Sequence, residues 1–220
     1  SALNGKTVAS LKALGVWSTI DAIAQAPFRR MRVWDDLGGG EIAFDGASVG
    51  AAQLGFIVNN ESVVQALYRV LQQEPRCRLV AGVTAKQLHQ NDEGVTLETS
   101  QGEFKGRILI GADGARSWVR DQLPLAVTTR PYPHQAMTAV VRIEKAHHYT
   151  AYQNFLPTGP LGVLPLSDKN RVAIVWSCSQ SLVKVLKEST KRGLNRHLTN
   201  ALQCRLGHME LETEPFYRQL

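Results

Sequence analysis

Between residues 135 and 177 the chain runs through four apolar segments, Gln135 to Ile143, Ala151 to Phe155, Gly162 to Leu166 and Arg171 to Ser177, and then into a pair of amphipathic stretches. Strands with one face on a core alternate with period two, and helices repeat at about 3.6. Leu182, Val185 and Leu186, then Leu194, Leu198 and Leu202, follow the helical spacing, with Gly193 as the expected break between two helices. Strands followed directly by a helix pair predict α+β organisation: a mixed, largely antiparallel sheet covered by helices. At 220 residues the chain is long enough for one such core plus an appendage.

The region before it reads as a more mixed series. Leu3, Val8, Leu11 and Leu14 predict a helix over 3 to 14 stopped by Gly15, and a short second helix is expected near Ser18 to Gln25, ended by Pro27. Met31 and Val33, then Ile42 and Phe44, alternate on either side of Gly38-Gly39-Gly40 as two strands around a glycine turn. Leu54 to Val58 is a further strand, and Asn60 stands where it can cap an amphipathic helix carrying Val63, Val64, Leu67, Val70 and Leu71. Four strands are expected at Arg78 to Ala81, Thr84 to His89, Val95 to Thr99 and Phe104 to Ile110, and a strand-turn-helix unit over 107 to 122. The expected subregions are therefore 1–122 and 123–220.

Charge and cysteine usage bound the function class. A net charge of +6 permits an anionic partner without choosing one. Cys77, Cys178 and Cys204 form neither a disulfide framework nor a zinc spacing, so a reducing, cytoplasmic setting is expected. The six histidines do not cluster at ligand spacing, and no metal is expected. No apolar run approaches the roughly 18 residues of a membrane span. The chain opens at Ser1 inside an apolar periodic stretch and closes at Leu220 without a polar tail, so both ends are expected to be cut.

The densest chemical signal is Gly111-Ala112-Asp113-Gly114-Ala115-Arg116-Ser117-Trp118-Val119-Arg120, after Ile108-Leu109-Ile110. Its glycines let backbone approach a ligand, a helix start offers free N–H groups to phosphate, and Asp113 can accept from a sugar hydroxyl. Arg116 and Arg120, one turn apart, can neutralise pyrophosphate. A plain turn with Asp113 as helix cap and two solvated arginines uses the same residues. Gly46-Ala47-Ser48-Val49-Gly50 matches the nucleophile elbow of serine hydrolases, but it is followed by a loop and a strand where that elbow needs a helix. Lys184, Lys187, Lys191, Arg192 and Arg196, opposed only by Glu188, form either a solvated helix face or a dock for anionic lipid or a partner protein.

Gly111-Ala112-Asp113-Gly114 with Ser117-x-Val119-Arg120 resembles the Asp-Gly motif of the group A flavoprotein aromatic monooxygenases. Ser1-Ala2-Leu3-Asn4 with Leu14-Gly15-Val16-Trp17, Met31-Arg32-Val33-Trp34-Asp35, Leu54 to Asn60, Phe155 to Leu161 with Leu164-Pro165-Leu166, and Ile174-Val175-Trp176-Ser177 narrow the resemblance to the ubiquinone-biosynthesis hydroxylases. That family usually has Glu then Asn where Asn59-Asn60 stand, so Asn60 matches and residue 59 departs. The family's Gly-x-Gly-x-x-Gly and Gly-Asp-x-x-His motifs do not occur in residues 1–220, so the chain is expected to be the middle of such an enzyme and inactive alone.

The resemblance implies an α/β-type flavoprotein fold, with 1–122 a remnant of the FAD-binding domain and 123–220 the substrate sheet. It implies FAD and NAD(P)H as cofactors and ring hydroxylation of a polyprenylated phenol, the flavin doing the chemistry, so that no catalytic side chain is demanded. Gly111, Asp113, Gly114, Arg116, Ser117, Arg120 and Asn60 would bind cofactor. Phe155, Leu161 and Trp176 would line the substrate site, although aromatic residues in predicted strands, Trp34 among them, serve equally as core. Expected partners are other ubiquinone-biosynthesis proteins and the inner face of a membrane, with no nucleic acid; oligomerisation stays open. The readings from other classes are a non-catalytic lipid-binding or assembly module and a hydrolase using Ser48.

Overall fold

The computed structural model describes residues 1–220 apart from the side chain of Ile23. It divides into two compact units, one made of 1–73 with 131–220 and the other of 74–130.

The first stretch contains β1 (Ala2–Asn4), α1 (Gly5–Ala13), β2 (Gln25–Phe28), β3 (Arg30–Asp35), β4 (Glu41–Asp45), β5 (Gly55–Val58) and α2 (Asn60–Gln73). Asn4 caps α1 by accepting from the Thr7 amide at 2.9 Å. The helix expected near Ser18 to Gln25 does not form. Two short 3-10 turns, Trp17–Thr19 and Ala22–Ala24, lead instead into β2, and Pro27 lies in that strand. β2 is an edge of the sheet β1-β5-β2, where a residue without an N–H is tolerated. Leu11, Val16, Ile20 and Ala66 form a small core between α1 and α2.

The second unit carries β6 (Ala85–Asn91), β7 (Gly94–Thr99), β8 (Gly102–Gly106) and the single turn of α3 (Trp118–Asp121). Two expectations fail here. Residues 78–81 form no strand, and the last strand stops at Gly106, leaving Ile108 and Ile110 about four-fifths exposed. An apolar run becomes a strand only when a neighbour pairs with it, and among the described residues β8 pairs only with β7.

The remainder supplies β9 (His134–Ile143), β10 (Thr150–Leu156), β11 (Gly159–Pro165), β12 (Arg171–Ser179), α4 (Gln180–Glu188), α5 (Lys191–Ala201), β13 (Met209–Leu211) and β14 (Phe216–Gln219). With β3 and β4 these strands build a sheet in the order β13-β9-β12-β11-β10-β3-β4, with β14 also on β9. The packing units therefore do not part at residue 122. Every pair in this sheet is antiparallel except β10 with β3. The break between α4 and α5 is at Ser189 and Thr190, not Gly193; Thr190 caps α5 by accepting from the Gly193 amide.

Alternation sorts the sheet into two faces. Met137, Val141, Leu161, Val163, Ile174 and Trp176 point to one side and pack under Leu186, Leu198 and Leu202 of the helices. Asn154, fully buried on the same face, donates from Nδ2 to the Ala201 carbonyl at 2.8 Å and so fixes the end of α5 to β10. Arg205 stacks on Trp34, 3.8 Å from the ring centroid, and pairs with Glu41 at 2.6 Å. Gly159 is required between β10 and β11: its φ is +122°, and a Cβ would lie 1.8 Å from the Ser177 carbonyl oxygen.

Buried His147 closes the turn into β10. Its Nε2 faces the carbonyl oxygens of Leu166 and Asp168 at 3.1 and 3.0 Å and so carries the proton, while Nδ1 accepts from the Tyr149 amide at 3.0 Å. Burial pushes its pKa down, and the two carbonyls only partly oppose this. Charging the ring would remove the acceptor for Tyr149, whose φ is +57°. The unfolded chain therefore binds the extra proton more readily, and stability is lost as pH falls through the unfolded histidine range near 6.5. Thermal midpoints measured from pH 7.5 to 5.5 should fall, and His147→Gln should lower the midpoint at pH 7.5 and flatten that slope; an unchanged slope would refute the assignment.

Candidate functional site

Two places bear on function, one in each unit. The first is the loop from Gly111 to Asp121. Asp113 does not cap the helix; Ser117 does, accepting from the Arg120 amide at 3.1 Å. The Asp113 carboxylate accepts from the Ser117 hydroxyl at 2.5 Å and from the Val119 amide at 3.1 Å, and these bonds hold its pKa below the usual carboxylate range. The brace is thus present at neutral pH and lost only in acid. Gly114 turns the chain at φ +86°, and a Cβ on Gly111 would come within 3.1 Å of Val119. Arg120 folds back onto the Ala115 carbonyl at 2.9 Å and onto Asp121, whereas Arg116 is exposed. A strand-turn-helix unit was expected here; a braced loop with one helical turn is found.

The second place is a hollow of about 1110 Å³ on the sheet face opposite the helices. Its floor is Thr138 and Val140 of β9, Leu164 of β11, Ala173 and Val175 of β12, and Phe216 of β14; Ala26, Ile57 and the start of α2 form a wall. Val175 and Phe216 are 41% and 64% exposed, which is unusual for such residues on a sheet face. At the rim, Glu212 takes Arg142 and Arg171, each at 2.6 Å. Burial pushes the Glu212 carboxyl up, but the two arginines outweigh it and hold the pKa low.

Asn60 lies in the hollow wall and accepts from the Ser1 hydroxyl at 2.9 Å; it does not cap α2. Asn59 does, its side chain accepting from the Glu61 and Ser62 amides at 2.8 and 3.4 Å. Of the residues expected to line a substrate site, only Phe155 is on the open face, 44% exposed. Leu161 and Trp176 point the other way into the main core, and that expectation is corrected. Parity along β12 carried the signal, since Val172, Ile174, Trp176 and Cys178 share one face and are all buried. Ser48 sits on a 3-10 turn, Gly46–Val49, with its hydroxyl donating to the Asp45 carbonyl, so the elbow geometry is missing. Among the described residues no group of His, Cys, Asp and Glu could hold a metal ion, and no helix is long and apolar enough to cross a membrane.

A sequence family described as the FAD binding domain matches residues 1–219. The chain belongs to this FAD-binding family. It is similar to 3-demethoxyubiquinol 3-hydroxylase of Escherichia coli, at 31% identity over 95% of this chain and 53% of that protein. It is also similar to the mitochondrial ubiquinone biosynthesis monooxygenase COQ6 of Danio rerio, at 28% identity over 96% of this chain and 46% of that protein. The chain thus spans about half the length of these relatives. Among solved structures it resembles PqsL of Pseudomonas aeruginosa, described as a probable FAD-dependent monooxygenase, with a TM-score of 0.76 and 18% identity over 96% of this chain and 62% of that one. The p-nitrophenol 4-monooxygenase PnpA of Pseudomonas putida follows at 0.66 and 17%, over 99% and 57%. The mixed, antiparallel-dominated sheet with covering helices is therefore the fold of flavin-dependent monooxygenases.

The two caps give a direct test. Asn59→Ala should cost about 1 kcal/mol of stability, the usual loss of a cap, while Asn60→Ala should cost much less. Asp113→Ala should speed amide exchange at Val119 without moving the main thermal transition. Equal losses at 59 and 60, read by thermal melts, would refute the cap assignment.

Proposed function

We propose that this chain forms the ring-binding sheet and part of the cofactor cradle of an FAD- and NAD(P)H-dependent monooxygenase that hydroxylates a polyprenylated phenol in ubiquinone biosynthesis. The observation that carries the reading is the apolar hollow on the face of the sheet that the helices leave uncovered. A volume of that order holds a ligand of cofactor or drug size, and its floor is mainly apolar, with Thr138 the polar side chain among Val140, Leu164, Ala173, Val175 and Phe216. When bound, FAD supplies the reduced flavin that, with O₂, delivers an oxygen atom to an electron-rich ring.

The residues of this chain do the remaining work. Val140, Leu164, Val175 and Phe216 hold an aromatic ring flat against the sheet and exclude water from it. Phe155, with exposed Ile42 and Phe44 on the same face, offers apolar surface along which a polyprenyl tail lies. In the other unit, Gly111 and Gly114 keep the loop open to a pyrophosphate, Arg116 is free to pair with it, and Asp113, Ser117 and Arg120 hold the loop in shape. Asn60 contributes a polar contact from the hollow wall. In this reading the loop of the 74–130 unit belongs to the cofactor side, 131–220 with the strands and wall of 1–73 form the substrate side in place of a division at 122, and the protein works in the cytoplasm.

The test is a chimera in which this chain replaces the matching half of the E. coli 3-demethoxyubiquinol 3-hydroxylase, in cells lacking that enzyme. Ubiquinone measured by chromatography should be restored. Phe216→Ala should lower kcat/KM roughly tenfold, about 1.4 kcal/mol of lost ring contact. Asp113→Ala should weaken FAD retention, and Ser48→Ala should leave both unchanged. The 220-residue chain alone should purify colourless at micromolar concentration, because a pyrophosphate loop without further contacts does not offset the entropy of association. A chimera that is folded and yellow yet makes no ubiquinone would refute the substrate class.

A further inference from the structure

The helix pair carries charge that the proposed reaction does not use. Between Gln180 and Ala201 stand Lys184, Lys187, Lys191, Arg192 and Arg196 against one acid, Glu188, a net of +4 within a chain of +6. All five are exposed, and Lys184, Arg192 and Arg196 make no ion pair or hydrogen bond among the described residues. Lys187 lies over the Tyr217 ring at 4.9 Å, and Lys191 reaches Glu210 at 3.9 Å. Arg192 and Arg196 border a further hollow of about 520 Å³ with Thr190 and His208. An uncompensated cluster of this size is costly by self-repulsion unless it meets anions.

Its position gives the charge a meaning. The connection from β13 to β14 borders two hollows at once. Thr213 and Glu214 line the large apolar hollow, and the same two residues line a groove that holds Lys187 and Lys191. β14 straddles the boundary, with Phe216 on the open face opposite Thr138 and Tyr217 on the helix side opposite Met137. The lysines and the apolar mouth therefore share one edge of the sheet. The carboxylates at this edge are Glu188, Glu210, Glu212 and Glu214, and Glu212 is already bound by two arginines.

We propose that this edge docks on an anionic lipid bilayer, the basic residues of α4 and α5 meeting phosphate headgroups so that the mouth of the hollow, with Phe216 inside it, opens toward the lipid. A bilayer is favoured over an acidic protein because the charge sits next to an exposed aromatic side chain and an apolar opening, the pairing that interfacial binding uses. The proposal rests on the reading of the substrate as a polyprenyl lipid, which dissolves in membranes and not in water.

The test is co-sedimentation of the 220-residue chain with extruded vesicles free of any quinone. Vesicles of neutral phosphatidylcholine are compared with vesicles containing about one-third phosphatidylglycerol. Binding should appear only with the anionic vesicles and vanish in 1 M NaCl, where screening acts within about 3 Å. Lys184→Gln with Lys187→Gln and Lys191→Gln should weaken the partition on the order of a hundredfold, about fivefold per charge. The Arg replacements of the same lysines should keep it, and Lys6→Gln with Lys12→Gln and Lys86→Gln should leave it within about twofold. Equal binding to both vesicle types, or a triple variant that binds like the parent, overturns the proposal. So does retention on immobilised polyglutamate without vesicle binding, which points to an acidic protein. Since no quinone or flavin enters the assay, failure of the hydroxylase reading leaves this result untouched, and failure here leaves the chimera test untouched.

Discussion

Alternation along β9, β11 and β12 is the constraint from which the rest follows. Each strand sends its large apolar residues to one side, Met137 and Val141, Leu161 and Val163, Ile174 and Trp176, and that side must be covered. α4 and α5 cover it because Val183, Leu186, Leu194 and Leu198 present a matching stripe. The other side carries smaller and more polar residues, Thr138, Gly162, Ala173 and Ser177 among them, and stays open enough to leave a hollow. A single leucine-to-alanine change at position 198 would remove about 2–5 kcal/mol from this arrangement. The helices meanwhile turn their polar faces outward, which is where the lysines and arginines collect.

The sheet and its helices were legible because their signals are local. Period two in 135–177 and helical spacing in 182–202 are both written within a few residues of where they act. Signals that depend on a distant partner misled. Ile108-Leu109-Ile110 has the composition of a strand, but no strand among the described residues pairs with it. Residues 18–25 have enough apolar content for a helix, yet pairing of Pro27 with Phe56 draws them into the approach to an edge strand. The cap of α2 was displaced by one residue, since adjacent asparagines are equally suited by chemistry and only the path of the chain out of β5 selects Asn59.

The candidate site was half legible. The loop at 111–120 announced itself through its glycines, although Asp113 and Arg120 turn out to hold the loop itself. The hollow had no local signature at all. Its floor and wall come from residues 21–62 and 138–216, and the correct parity for Trp176 is visible only when the neighbouring positions of β12 are read together.

The lone parallel pair in the main sheet sets a timetable for the chain. Arg30 of β3 pairs with Thr150 of β10, and the whole 74–130 unit lies between them in the sequence. During synthesis at about 5–20 residues per second, the β3–β4 hairpin waits roughly 5–21 seconds before its neighbour emerges. Throughout that interval Trp34, buried in the finished fold, lacks the β10 strand beside it. The seam between β3 and β10 is therefore a late, long-range closure of the kind that slows folding. Until the seam closes, one edge of β3 stays unpaired and the Trp34 ring uncovered, which is surface of the kind that chaperones bind.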